Sequence, residues 1–173
     1  MIYAKIVAQV FSSLILRMSL LFFLAQIGYF GPVTLTIIAM ILVIRRVRSP
    51  LFPLVLFTIR DMLNYCLNAI LKKTTMESRP SCPVSINSLD RRDEDDYGMP
   101  SGHAQQVFSK LVIIVRECGL FSYLSILVYF QTLLTIWQRY KFRKHTTSQL
   151  FVGSCVGMVS GMSHEVLNSQ FDN

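Results

Sequence analysis

The chain has 173 residues, 52% of them hydrophobic and only 16% charged, and its mean hydropathy is +0.45. That balance excludes an ordinary soluble domain, and the length accommodates one domain, taken as 1–173 and read as integral to a membrane. The formal charge of +7 does not argue for nucleic acid, because the basic residues come in short bursts between apolar runs rather than on one continuous face, a distribution suited to headgroups, topology signals or phosphate.

In chain order the apolar runs predict six membrane helices, at about 6–25, 28–44, 51–71, 102–116, 119–137 and 146–163. The first is interrupted by Arg17, which snorkels toward an interface, and no small-residue cleavage site follows, so it reads as a retained helix and not as a signal peptide. Gly28, Gly31 and Pro32 offer turns before the second. The third carries Asp61, Asn64, Asn68 and Lys72 at steps of three or four, on one face. A long polar connection then runs from Lys72 to Met99; its acidic run, Asp93 to Asp96, reads as a solvated loop and not as a metal site. His103, Gln106 and Lys110 share a face of the fourth helix, and Trp137 with Tyr140 anchors the end of the fifth. His145, Gln149, Gly153, Gly157 and Gly161 form a stripe at steps of four on the sixth, where the glycines serve close helix packing and His164 lies beyond as a solvated tail residue. Cys66, Cys118 and Cys155 fall in apolar runs and Cys82 in the long connection, so neither a disulfide framework nor a zinc spacing follows.

Three segments carry chemistry: Lys72 with Arg79-Pro80, Pro100-Ser101-Gly102-His103, and Arg139 with His145. With six helices the third-to-fourth and fifth-to-sixth connections emerge on the same membrane face, so these residues can meet at headgroup level. Their types fit phosphoryl transfer, where charge on the transferring oxygens must be stabilised while a nucleophile attacks in line. Arg79 and Arg139 supply forked donors, Lys72 a point charge, and Ser101 with Gly102 a helix start whose N–H groups hold another oxygen. Two histidines then suffice for the covalent and proton-transfer steps, and no metal or other cofactor is required.

These motifs resemble those of the type-2 phosphatidic-acid phosphatase superfamily, which has a six-helix core when membrane-bound. The resemblance implies an all-α polytopic bundle in which His145 is the nucleophile, His103 the general acid, and Lys72, Arg79, Ser101, Gly102 and Arg139 bind phosphate. Gln138 replaces a usual serine, and Gln149 stands where an aspartate normally orients the nucleophile; its amide oxygen can still fix the imidazole tautomer without a full charge. His145-Thr146-Thr147-Ser148-Gln149, the Tyr97-to-Ser101 stretch, Arg45-Arg46, and Asn64 and Asn68 leading to Lys72 are similar to the dolichyl-diphosphatase branch, whereas Gly102 replaces that branch's second serine and the chain is short for it.

That branch implies hydrolysis of dolichyl diphosphate to dolichyl phosphate and inorganic phosphate in the endoplasmic reticulum membrane, recycling the carrier for N-glycosylation. The implied partners are a polyprenyl or dolichyl phosphate substrate and membrane lipids, with no nucleic acid and with the oligomeric state left open. Arg45, Arg46, Arg48 and Arg116 lie on the face opposite the site, which would make that face cytosolic and the site lumenal, although Lys141, Arg143 and Lys144 count the other way. Two alternatives stand beside this reading: a broader phosphatase for phosphatidic acid or isoprenoid phosphates, and a non-catalytic lipid-phosphate-binding protein, which Gln149 keeps open.

Overall fold

The computed structural model describes residues 18–46, 51–90 and 97–168. Six α-helices run through them: α1 (Met18–Tyr29), α2 (Gly31–Arg46), α3 (Leu51–Thr75), α4 (Gly102–Cys118), α5 (Tyr123–Lys141) and α6 (Thr147–Asn168), with a 3-10 turn at Ser88–Asp90 inside the long connection. No strand occurs among the described residues, and the predicted all-α bundle of about six helices holds. Arg17 and the acidic run 93–96 lie outside the described residues, while His164 falls within α6 and not beyond it.

Local chemistry accounts for where the helices depart from the predicted bounds. α3 runs one turn past residue 71, which puts Lys72 in its last turn. α5 starts and ends about one turn late because Gly119, at φ 89°, ends α4 in a backbone conformation that disfavours side chains, and the Ser122 hydroxyl then caps α5 by accepting the Ser125 N–H at 3.1 Å. α6 begins only at Thr147, so His145 sits in the bend before the helix and not on its stripe.

The six helices are not equally apolar. Among those described, α3 alone is long and apolar enough to cross a membrane by itself, and α1 with Gly31–Arg45 of α2, bent by 49°, does so as a pair. α4, α5 and α6 are diluted by polar residues that point inward: Gln105, Ser109, Lys110, Thr132, Thr135, Gln138 and Gln149 are all buried. The outward faces carry the large apolar side chains, with Leu63 on α3, Phe130 on α5 and Phe151 on α6 each more than 60% exposed. Polar inside and apolar outside is the arrangement that lipid, not water, stabilises.

α4 is the hub, packed on α2, α3, α5 and α6. Its approach to α6 is close enough that a Cβ at Gly153, Gly157 or Gly161 would come within 2.2 to 2.7 Å of a carbonyl oxygen of α4 or its cap, so the glycine stripe does serve helix packing. Lys110 of α4 pairs with Asp61 of α3 and donates to Gln106 at 3.1 Å, which pairs the Lys110 ammonium inside the bundle. Leu35, Val43, Phe57, Val107, Ile114 and Val128 form an apolar cluster there. The opposite end, where α3 and α5 finish and α4 and α6 begin, is polar.

Candidate functional site

That polar end encloses a cavity of about 550 Å³ lined by residues from all three predicted segments: Lys72 and Arg79, Gly102 and His103, Arg139 and His145. The connections place them. Lys72 lies in the last turn of α3, and its ammonium donates to the Tyr97 carbonyl at 3.0 Å. Arg79 is held by carbonyls at both ends of its fork, Lys144 O at 3.1 Å and Tyr97 O at 3.5 Å. Gly102 opens α4 beside Asn68, whose Oδ1 would lie 3.2 Å from a Cβ there. Beneath this turn Asn68 donates to Pro100 O at 3.3 Å and to Gln105 Oε1 at 2.7 Å, and Gln105 donates to Asn64 Oδ1 at 2.7 Å, so the polar face of α3 positions the start of α4.

Two predicted residues stand behind the cavity and not on its wall. Ser101 is fully buried, its hydroxyl caps α4 through the Ala104 N–H at 3.5 Å, and its own N–H donates to Gln149 O at 3.0 Å. Gln149 is fully buried behind His145. It forms a reciprocal cap with Thr146: the Gln149 N–H donates to the Thr146 hydroxyl, and the Thr146 N–H donates to Gln149 Oε1, both at 3.2 Å. The same Oε1 lies 3.2 Å from His145 Nδ1. Gln138, the other departure from the superfamily pattern, is buried in α5 against the Gly28 backbone.

His145 is 4% exposed. Burial, then Arg79 and Arg139, with Lys72 adding, hold its imidazole well below the ordinary value, against the opposing hydrogen bond to Gln149. The ring is therefore neutral at physiological pH. Arg79 can only donate, and its Nη1 lies 3.4 Å from Nε2, so Nε2 presents the lone pair and Nδ1 carries the hydrogen toward Gln149.

Sequence reasoning missed three contributors. Asp90, in the 3-10 turn, is 2% exposed and bridges two cations: its Oδ1 accepts from Arg139 at 2.6 Å, its Oδ2 lies 3.2 Å from the Lys144 ammonium, and its carbonyl accepts from Lys144 at 2.9 Å. Burial pushes the Lys144 ammonium down, and Asp90 opposes that. Tyr29 closes α1 against the site, 5.3 Å from the Arg139 guanidinium and 5.5 Å between ring centres from His103. Glu77 reaches Gln149 from the far side, accepting from its Nε2 at 2.8 Å. Arg139 completes the wall, its other nitrogen lying against the His103 ring, 2.9 Å from Nδ1.

Among the described residues five cationic side chains line the cavity, Lys72, Lys73, Arg79, Arg139 and Lys144, together with the carboxylate of Asp90. A second, largely apolar groove of about 480 Å³ runs between α2 and α3 and shares Pro32, Tyr65 and Gln106 with the cavity wall.

A family model described as the PAP2 superfamily matches residues 50–167. No curated protein matches the chain. Among solved structures the chain is similar to the first transmembrane PAP2 type phosphatidylglycerolphosphate phosphatase from Bacillus subtilis, with a TM-score of 0.66 at 16% identity, over 87% of this chain and 77% of that one. At that identity the likeness is one of fold.

Proposed function

The chain belongs to the PAP2 superfamily, and on that footing we propose that it hydrolyses dolichyl diphosphate to dolichyl phosphate and inorganic phosphate through a phosphohistidine at His145. The observation that carries the reading is that both histidines and five cations line a single cavity. The cluster of cationic side chains suits a diphosphate headgroup, and the apolar groove between α2 and α3 gives a lipid tail a path out of the site into the bilayer.

In this mechanism the phosphates lie among Lys72, Arg79, Arg139 and the N-terminus of α4. His145 Nε2 attacks the terminal phosphorus with its lone pair. An N–P bond forms, the bond from that phosphorus to the bridging oxygen breaks, and the electron pair leaves on dolichyl phosphate. His103, protonated at the nitrogen that Arg139 gives up when it turns to the phosphate, neutralises the departing oxygen. Water then attacks the phosphohistidine with His103 as base, the N–P bond breaks, and inorganic phosphate leaves. Arg79 and Arg139 hold the equatorial oxygens through both steps, and the low proton affinity of His145 keeps the nucleophile neutral beside them. The membrane is that of the endoplasmic reticulum and the site is lumenal in this reading, with Arg45 and Arg116 at the cytosolic end of the bundle.

The test is inorganic phosphate release by purified full-length protein from dolichyl diphosphate, a shorter polyprenyl diphosphate and phosphatidic acid, together with acid-quench trapping of a phosphoenzyme that His145→Ala lacks. Equal release by His145→Ala and the unaltered protein removes the covalent mechanism. A second reading, a phosphomonoesterase for glycerolipid phosphates, draws on the activity named for the Bacillus subtilis structure; preference for phosphatidic acid or phosphatidylglycerolphosphate over both diphosphates selects it.

A further inference from the structure

A primary amide has one accepting end and one donating end, and the surroundings of Gln149 determine which end faces His145. Its Oε1 meets the Thr146 backbone N–H, which only donates, at 3.2 Å. Its Nε2 meets the Glu77 carboxylate and the Ser78 carbonyl, which only accept, each at 2.8 Å. Turning the amide over would place an N–H group against an N–H group on one side and an oxygen against two oxygens on the other. Gly98 packs so tightly over the group that a Cβ there would come within 2.5 Å of both Oε1 and Nε2, and its N–H fixes Glu77 in turn by donating to the Glu77 carbonyl at 2.7 Å.

We propose that Glu77 is a positioning residue: through the amide of Gln149 it holds His145 in the tautomer that leaves Nε2 free to attack. This inference rests on the phosphohistidine reading above. An aspartate at position 149 would need no such partner, because either of its oxygens can accept from the imidazole, and beside Glu77 and the Ser78 carbonyl its second oxygen would meet only acceptors, so the Glu77 carboxylate suits an amide at 149 and not a carboxylate. A glutamine there needs neighbours that select its orientation, and Glu77 is the side chain that does so, beside the backbone groups of Thr146 and Ser78. The departure at Gln149 and the presence of Glu77 are thus two parts of one device, spanning 72 residues of sequence.

The decisive measurement is a double-mutant cycle on full-length protein, reading phosphate release from dolichyl diphosphate and from phosphatidic acid for the unaltered protein, Glu77→Ala, Glu77→Gln, Gln149→Asp and Glu77→Ala with Gln149→Asp. Glu77→Ala is expected to lower kcat about ten- to hundredfold with KM within about twofold, as loss of an orienting partner does. Glu77→Gln, which still offers an acceptor oxygen, is expected to retain most of the rate. In the Gln149→Asp background the loss from Glu77→Ala is expected to vanish, an outcome that a purely structural clamp does not produce. Nitrogen-15 spectra of histidine-labelled protein, with His145 identified by its absence in His145→Ala, are expected to show Nδ1 protonated in the unaltered protein and a tautomer mixture in Glu77→Ala. An equal loss in both backgrounds, or an unchanged kcat and tautomer in Glu77→Ala, overturns the role of Glu77 while leaving the phosphatase reading intact. An unaltered protein that releases no phosphate from either lipid overturns both.

Discussion

Where α2, α4 and α5 meet around Leu35, Ile114 and Val128, the bundle is held by apolar side chains that exclude lipid from the interior. At the other end the buried residues are Asp90, Gln105, Arg139, Lys144, His145 and Gln149, joined by hydrogen bonds and ion pairs. The two ends differ in what a substitution removes. Lipid is as apolar as leucine, so the first end gains its stability from packing, with little help from expulsion of water. The second end buries charges that favour structure only while paired, an arrangement that, under the proposed function, has cations already aimed when an anion arrives.

The largest effect expected at the polar end is chemical. His145→Ala should lower phosphate release at least about a thousandfold, while thermal unfolding in detergent changes little, because the ring lies in the bend before α6 on the cavity wall and not in the apolar cluster. If the same variant unfolds the protein, the separation between the two ends fails. Asp90→Ala comes next and tests the opposite balance. Removing the carboxylate takes the counter-charge from Arg139 and Lys144, whose side chains are 4% and 3% exposed, and is expected to cost about 3 kcal/mol of stability. It should also tighten inhibition by inorganic phosphate, since two cations are released to the anion. A loss of stability with weaker phosphate inhibition would show that Asp90 aims Arg139 and does not compete for it. Ile114→Ala should do the reverse of His145→Ala, costing about 2 kcal/mol through the cavity it leaves, with kcat unchanged. Unfolding midpoints and saturating rates, measured side by side, distinguish the three.

How much of this was legible in the sequence follows the same division. The helices are readable because apolar runs interrupted only at helical spacing need no partner to be recognised, and their misplaced ends trace to single residues such as Gly119 and Ser122. Lys72, Arg79, Gly102, His103, Arg139 and His145 are readable because each lies in a short segment of unusual chemistry, and all six reach one cavity. Asp90 and Glu77 are not readable in that way. Each is one acidic residue in a polar connection that holds others, and its partners lie 49 to 72 residues away. The Thr146-to-Gln149 spacing is a capping-box signature and was the one local clue that Gln149 is held by more than His145. Ser101 shows the converse: its place in a motif is plain, yet its side chain caps α4 below the cavity wall.

The smallest expected effect is on pH dependence, and it separates the field of the cations from their direct grip on phosphate. In the proposed mechanism the attacking form of His145 is the neutral ring. Burial and then Arg79 are the leading causes that hold its proton affinity below the ordinary value of about 6.5. The ring should therefore stay neutral, and reactive, as pH falls through that value, and the acid limb should lie on its acidic side. Arg79→Gln removes one positive neighbour and leaves the burial, so the folded pKa rises and the acid limb moves toward neutrality. Phosphate affinity falls in the same variant, so a rate profile alone mixes the two effects. The pH dependence of acylation by diethyl pyrocarbonate, run without substrate on a background carrying both His103→Ala and His164→Ala, isolates the proton. A limb that stays in place when Arg79 is replaced would mean that burial alone sets the proton affinity of His145, and that the guanidinium acts on the substrate and not on the nucleophile.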